Sequence, residues 1–255
     1  MTTIHVPYGV KGKIDFEIPD GNLVLDTDVP FPDEVPDLER AILNALDHPV
    51  AGPPFSERLA KARKVVILQD NFARLTPAYK ILPPILNKIR EAGKEVEILV
   101  ASGLLREMNE AELHRKFGDE ILKSGVPIFQ SVARARWDFE FLGVTSYGTP
   151  IHIHRRLLQA DLSLAVTMTQ ATLWGYGGGG IMILPGVSSY ETIEWNHRLM
   201  TCPTSGVGYE PPLNRLRADI EEALLMSGLD MSLLVICNPQ LGIIELTAGE
   251  TIATH

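Results

Sequence analysis

The sequence contains few cysteines, too few basic residues to balance its acidic ones and no long apolar run. Each shortage argues against a class of protein. The two cysteines, Cys202 and Cys237, lie far apart and belong to no CxxC motif or His/Cys cluster. Neither a disulfide framework nor a zinc site is therefore indicated. Such sparse cysteine is typical of a reducing compartment, and we expect a cytoplasmic protein.

The deficit of basic charge limits the range of partners. With 32 acidic and 23 basic residues, the chain carries a formal net charge of -9. This charge disfavours nucleic acid and anionic membranes as partners. No stretch approaches the ~18 apolar residues that a membrane span needs. We therefore predict no nucleic-acid partner and no membrane partner, while the composition allows an oligomer.

The chain has enough apolar residues to form a substantial core, since 45% of its 255 residues are hydrophobic. Alternation at 4–6 and 13–18 predicts an N-terminal β-hairpin, and a segment rich in Pro and Asp at 26–36 predicts a linker. Helical and strand patterns then alternate. The predicted helices are 38–46, 56–61, 79–92, 109–117 and 214–227, and the predicted strands are 64–68, 96–100, 128–129, 162–167 and 182–184, followed by a hairpin at 231–237 and 242–246. We predict an α/β fold that is Rossmann-like, with a mostly parallel sheet and helices on both faces.

A run of four glycines, Gly177, Gly178, Gly179 and Gly180, follows the predicted strand 162–167. Glycine lets backbone N–H groups turn outward at positive φ to meet an anion or a flat cofactor, so the run is a candidate cofactor-binding loop. The alternative is a tight turn before a buried strand at 181–184. Ligands of such sheets bind beyond the carboxyl ends of the strands, where Asp70, Gly103, Ala171 and Gly177 are expected to converge.

Several short motifs occur in the order found in the nickel-pincer lactate racemase family, which the chain resembles over nearly its whole length. They are Asp70 to Pro77 with the pattern Asp-x-x-x-Arg-x-Thr-Pro, Ala101 to Arg106, Tyr147 to Pro150, Ala160-Asp161, Gly175 to Gly179, Ile183 to Val187, Thr192-Ile193 and Asn196-His197. The resemblance implies a single N-terminal domain of that family over residues 1–255, with the family's second, C-terminal domain absent or truncated.

The resemblance also implies a cofactor, a nickel-pincer nucleotide attached through a lysine, with Asp70, Asn71 and the four glycines as cofactor-binding residues. Arg74 matches the residue that holds the substrate carboxylate, and His197 matches the nickel ligand. The attachment lysine, however, corresponds to Ile181. The two histidines that move the hydroxyl proton correspond to Leu105 and Ala171, and neither can carry a proton. A further His-Asp pair corresponds to Ser131-Val132.

Three functions remain open at this point. The chain is a 2-hydroxyacid racemase acting by hydride transfer, or a non-catalytic module that binds a carboxylate or nucleotide, or a partner subunit whose cleft is filled. The site residues also have plainer interpretations. Arg74 pairs with Asp70 at the surface, His197 is a packed histidine, and Trp174 and Tyr176 fill the core instead of stacking on a planar ligand. His114 and Lys116, on a charged helix, are expected to face water.

Overall fold

A computed structural model of the protein describes residues 1–8, 12–24 and 30–254, in two units, Met1–Pro32 and Asp33–His255. In the first unit, strand β1 (Thr2–Tyr8) pairs antiparallel with β2 (Gly12–Ile18), from Thr2 opposite Ile18 to Tyr8 opposite Gly12. The predicted N-terminal hairpin is thus confirmed. Its turn residue Gly9 and part of the predicted linker lie outside the described residues.

The second unit alternates helices and strands as predicted. In chain order its elements are α1 (Leu38–Asp47), α2 (Phe55–Lys61), β3 (Lys64–Asp70), α3 (Ala78–Glu91), β4 (Glu95–Ala101), α4 (Glu110–Lys123), β5 (Ile128–Gln130), β6 (Phe139–Val144), β7 (Pro150–His154), α5 (Arg155–Leu158), β8 (Leu162–Met168), β9 (Ala171–Thr172), β10 (Gly175–Tyr176), α6 (Tyr190–His197), α7 (Arg215–Ser227), β11 (Met231–Cys237) and β12 (Ile243–Gly249). No helix in the described part of the chain is long and apolar enough to cross a membrane.

Six strands form the central sheet in the order β12-β11-β8-β3-β4-β5. The pairs from β11 to β5 are parallel, and β12 is an antiparallel edge strand beside β11. From β3 the chain first builds the sheet towards β5 and later, through β8, in the opposite direction. The strand order therefore reverses between β3 and β8, which is where sheets of this kind leave a crevice for ligands.

Strand β3 shows why both faces of the sheet must be covered. Val65 and Ile67 belong to one core cluster, together with residues of α1 to α4. Val66 and Leu68 belong to a second cluster on the opposite face, together with residues of α5, α6 and α7. A strand buried on both sides needs an uninterrupted apolar sequence. The apolar run at 64–68 is the pattern that predicted this strand. The predicted α/β fold with helices on both faces is confirmed.

The predicted strand at 182–184 is wrong. Residues Gly179–Met182 form a short 3-10 helix, and the segment after it continues in turns. The N–H groups of Ile183 and Leu184 both donate to the carbonyl of Gly180, at 3.1 Å. These local bonds satisfy the backbone while the apolar side chains remain buried, so burial here does not require a neighbouring strand. The sequence analysis also missed the β6–β7 hairpin.

Candidate functional site

A cavity of about 240 Å³ lies at the carboxyl ends of β3 and β4. Its walls come from residues that follow those two strands, from the β9–β10 segment, from the 3-10 turn after it, and from α6 and α7. Of the predicted site residues, Asp70, Asn71, Arg74 and His197 line this cavity. Segments distant in the sequence thus meet at the point where the strand order reverses.

Asp70, the last residue of β3, is 4% exposed and is surrounded by donors. Its Oδ2 accepts hydrogen bonds from the hydroxyl of Thr76 and, at 2.6 Å, from that of Thr167. Its Oδ1 accepts from Nε2 of Gln69 at 2.9 Å and forms an ion pair with Lys116. The negative charge is therefore balanced inside the protein, and these four partners hold the start of the cavity wall in place.

The prediction that Lys116 faces water is wrong. Lys116 is 6% exposed, whereas His114 is exposed as expected. Its Nζ reaches Asp70 and also donates to the carbonyl of Arg74 at 2.9 Å. Burial lowers the pKa of Lys116, and the charge of Asp70 opposes that change. The lysine thus ties helix α4 to the residues that follow β3.

Asn71 and Arg74 continue the wall after Asp70. The Asn71 amide donates to the carbonyl of Ser102 at 3.2 Å, which joins the end of β3 to the end of β4. The half-buried Arg74 lines the cavity, and its guanidinium has no hydrogen bond or ion pair with the described residues. The surface pair of Arg74 with Asp70 is therefore not formed, because Lys116 occupies the carboxylate.

The glycine run lies beside the cavity, between Tyr176 and Ile181, whose side chains line it. The N–H of Gly177 donates to the carbonyl of Gln170 at 2.7 Å. Gly180 is buried against α7, and a Cβ atom there would lie 3.2 Å from Cγ2 of Ile220. Gly180 allows the close approach of α7, and the role of the four glycines in binding a cofactor stays a prediction.

His197, at the end of α6, projects its ring into the same cavity. Its Nδ1 lies 3.2 Å from Oδ1 of Asn196, and its ring meets that of Trp174 edge-on at 5.2 Å between centroids. Burial lowers the pKa of His197, which favours the neutral ring. A neutral imidazole suits a metal ligand, and it equally suits a packed histidine. Its role as a nickel ligand therefore stays a prediction.

Arg217 on α7 also lines the cavity and was not predicted from the sequence. Its side chain is 2% exposed, and its guanidinium carbon lies 4.2 Å from the centroid of the Tyr176 ring. A signal was present, because Arg217 precedes Ile220 and Leu224 by three and seven residues. These positions share the buried face of a helix.

A sequence profile of the lactate racemase N-terminal domain matches residues 8–208 of the chain. The chain belongs to this family. Curated lactate racemases from Thermoanaerobacterium thermosaccharolyticum and Lactiplantibacillus plantarum are each 26% identical to it, over 264 and 263 residues. Both matches cover 100% of this chain but only 61% of the relative. The chain thus spans less than two thirds of the length of these curated lactate racemases.

Solved structures agree with the family assignment. The lactate racemase apoprotein from Thermoanaerobacterium thermosaccharolyticum superposes with a TM-score of 0.86 at 25% identity, over 100% of this chain and 60% of that one. A protein from Thermotoga maritima gives a TM-score of 0.66 at 20% identity, over 86% of this chain and 56% of that one, and supports the fold alone. The resemblance inferred from the motifs is confirmed.

Resemblance to lactate racemases implies a pincer nucleotide attached through a lysine, and the cavity does not fit that attachment. Ile181, at the lysine position, contributes an apolar wall, and no lysine among the described residues lines the cavity. Within the described residues, no three His, Cys, Asp or Glu side chains are grouped so that they could hold a metal ion by themselves. The described side chains that line the cavity therefore offer no lysine for covalent attachment of such a nucleotide.

Proposed function

We propose that this chain binds a small carboxylate anion in the cavity and does not racemise it by the mechanism of the lactate racemase family. The observation that carries the proposal is the guanidinium of Arg74, which lines the cavity without a partner among the described residues. A guanidinium matches a carboxylate with two parallel hydrogen bonds. Asp70 does not compete for Arg74, because its charge is paired with Lys116.

The size and composition of the cavity support a small ligand. At about 240 Å³ it is smaller than the roughly 300–1,000 Å³ of pockets that take drug-sized molecules. Its apolar walls, including Ile181 and Pro185, lower the local dielectric constant and strengthen a charged hydrogen bond within it. A carboxylate with a short carbon chain meets both conditions.

The absence of an acid–base pair argues against turnover. Racemisation of a hydroxy acid requires a group that removes the hydroxyl proton and one that returns it. The family positions of these groups carry Leu105, which lines the cavity, and Ala171. His197 is the only histidine among the described residues that line the cavity. One ring with a lowered pKa does not supply two opposed proton-transfer groups.

Isothermal titration with L-lactate and D-lactate at low ionic strength tests the proposal. We expect both enantiomers to bind, and we expect Arg74→Met to weaken binding by about tenfold or more, the usual cost of losing a charged hydrogen bond. Arg74→Lys should retain part of the affinity, because lysine keeps the positive charge but cannot form the two parallel hydrogen bonds of a guanidinium. Arg63→Met is a matched control at the surface, where Arg63 is 93% exposed.

Turnover is tested separately. Protein co-expressed with a pincer-nucleotide synthesis pathway is analysed for nickel and intact mass, incubated with L-lactate, and assayed for D-lactate by chiral chromatography. We expect an unmodified mass and no D-lactate. Formation of D-lactate would overturn the non-catalytic proposal. Absence of any lactate binding, with unchanged behaviour of Arg74→Met, would overturn carboxylate binding and favour a partner subunit.

A further inference from the structure

Arg217 is a buried cation whose charge the described part of the protein leaves uncompensated. Its Nε and Nη1 atoms are buried and have no hydrogen-bond partner among the described residues. No described carboxylate forms an ion pair with it. Burying a guanidinium without a counter-charge is strongly disfavoured, and the described residues do not provide one for Arg217.

The acidic residues near Arg217 in the sequence are engaged elsewhere. Asp219 accepts hydrogen bonds from Thr145, Thr149 and Asn196, at 2.5, 2.7 and 2.7 Å. Glu221 accepts from the hydroxyl of Tyr176 at 3.3 Å. Neither carboxylate forms an ion pair with Arg217, although Glu221 contacts the same tyrosine, so an anion bound in the cavity that Arg217 lines can supply the counter-charge.

The position of the guanidinium is fixed before any ligand binds. The N–H of Arg217 donates to Oδ1 of Asn214, the cap of α7, at 3.1 Å. Its guanidinium lies over the ring of Tyr176, and it lowers the pKa of that phenol against the rise that burial causes. Stacking on one face leaves the edge of the guanidinium open for hydrogen bonds in its plane. Nε and Nη1 point to opposite sides of the guanidinium, so each side keeps one donor for a carboxylate or phosphate oxygen, and the positive charge strengthens either hydrogen bond.

We propose that Arg217 is a second anion-binding group, so that the ligand of the cavity is a small molecule with an anionic group at each end. This inference rests on the proposed function, in which Arg74 holds one carboxylate. Arg217 then holds the second group, which is a carboxylate or a phosphate. The only described carboxylate that lines the cavity is Asp70, and it is already paired, so the cavity has an excess of positive charge.

Ser102 provides a further polar group in the same cavity. Its Oγ atom is buried and has no hydrogen-bond partner among the described residues. A hydroxyl can donate to an anion or accept from a ligand hydroxyl. The guanidinium of Arg74, the hydroxyl of Ser102 and the Nε and Nη1 atoms of Arg217 thus leave hydrogen-bonding capacity around one largely apolar cavity, which is the pattern of a binding site and not of a packed core.

The experiment compares ligands by isothermal titration at fixed ionic strength. Malonate, succinate and glutarate vary the spacing between two carboxylates, phosphoglycolate replaces one carboxylate by phosphate, and L-lactate is the single-ended reference. We expect one of the two-ended ligands to bind at least about tenfold more tightly than lactate, with a maximum at one chain length because both arginines are held in place. Comparing the affinity of phosphoglycolate with the affinities of the dicarboxylates shows whether Arg217 prefers a phosphate or a carboxylate.

Variants separate the two arginines. In Arg217→Met we expect the preference for two-ended ligands to disappear while lactate binding changes by less than about threefold. Arg217→Lys should recover part of the preference. Arg156→Met is the matched control, because Arg156 also lies over an aromatic ring, Phe129, but its charge is paired with Glu97. It should leave every affinity unchanged.

Two outcomes would overturn the inference while leaving the proposed function in place. The first is that no two-ended ligand binds more tightly than lactate, although Arg74→Met abolishes lactate binding. The second is that Arg217→Met weakens lactate as much as Arg74→Met does, since both arginines would then hold one anionic group. Loss of two-ended binding in Arg217→Met with no effect of Arg74→Met would overturn the proposed function and the two-ended ligand together.

Discussion

Two buried charges line the same cavity and differ in how the fold treats them. Asp70 has four side-chain partners, including the ammonium of Lys116. Arg217, almost equally buried, has no carboxylate partner among the described residues and two unpaired nitrogen atoms. A charge completed by the protein belongs to the scaffold, whereas a charge left incomplete is available to a ligand.

The largest effect is expected where the paired charge loses its partner. Lys116→Met should lower the free energy of unfolding by about 3–5 kcal/mol, because it leaves the carboxylate of Asp70 buried without its ammonium. Urea denaturation at pH 7 measures the change. Lys123→Met is the control, because the pair of Lys123 with Asp119 is exposed and should contribute less than about 1 kcal/mol. Similar losses in both variants would show that burial does not distinguish the two pairs.

A smaller effect is expected from a group that burial keeps neutral. Burial lowers the pKa of His154, and its Nδ1 accepts from the N–H of Arg156 at 3.3 Å. Below the ordinary histidine pKa the unfolded chain binds a proton that the folded ring does not. Stability should therefore fall from pH 6.5 towards the lowered pKa, by at most about 1.4 kcal/mol per pH unit for this residue.

Urea denaturation between pH 7.5 and 5.5 measures this slope. His154→Gln keeps an acceptor for Arg156 but has no group that titrates, so the slope should be shallower. His197, whose pKa is also lowered by burial, should contribute in the same direction. An unchanged slope in His154→Gln would assign the pH dependence to other groups.

Replacing Arg217 tests the contrast between the two buried charges. Without ligand, Arg217→Met should keep the free energy of unfolding within about 1 kcal/mol of the parent or raise it, because an apolar side chain replaces a buried cation without a counter-charge. The same denaturation experiment checks this expectation. A loss comparable to that of Lys116→Met would place Arg217 in the scaffold and remove the contrast between the two charges.

The last expected effect is on the pKa of a carboxyl that is paired with an exposed arginine. The guanidinium of Arg106 donates to both oxygens of Glu112 at 2.7 Å and holds the pKa of that carboxyl at about 2. Arg106→Met should raise this pKa towards its ordinary 4.5. The pair stabilises the fold above pH 4.5 and loses that contribution as the pH falls. Carbon NMR titration of the glutamate carboxyl measures the shift, and an unchanged pKa would contradict the pairing.

Much of the fold is predictable from local pattern. Strand β3 follows from an apolar run, and α7 follows from helical spacing between the capping Asn214 and Gly228, which closes the helix in a left-handed conformation. The apolar run at 181–184 has the same composition as a strand. It forms turns because its backbone bonds are satisfied locally beside the glycines, and that choice depends on tertiary packing.

The site was predictable only in part. Motifs located Arg74 and His197, because both lie within recognisable patterns. Lys116 and Arg217 were missed or misplaced because a charged residue on a helix is usually solvated. Which charged residue is buried depends on contacts with distant segments, here Asp70 for Lys116 and Tyr176 for Arg217.

The side chain of Asn214 has a consequence for the order in which the cavity assembles. Its oxygen caps α7, and its Nδ2 donates to the carbonyls of Trp174, Tyr209 and Gly206 at 2.9, 3.2 and 3.4 Å. These bonds tie the segment that carries Trp174 to the first turn of α7. Hydrogen exchange should show the amides of α7 protected no later than those around Trp174 during refolding. This wall of the cavity would then close no earlier than α7 forms.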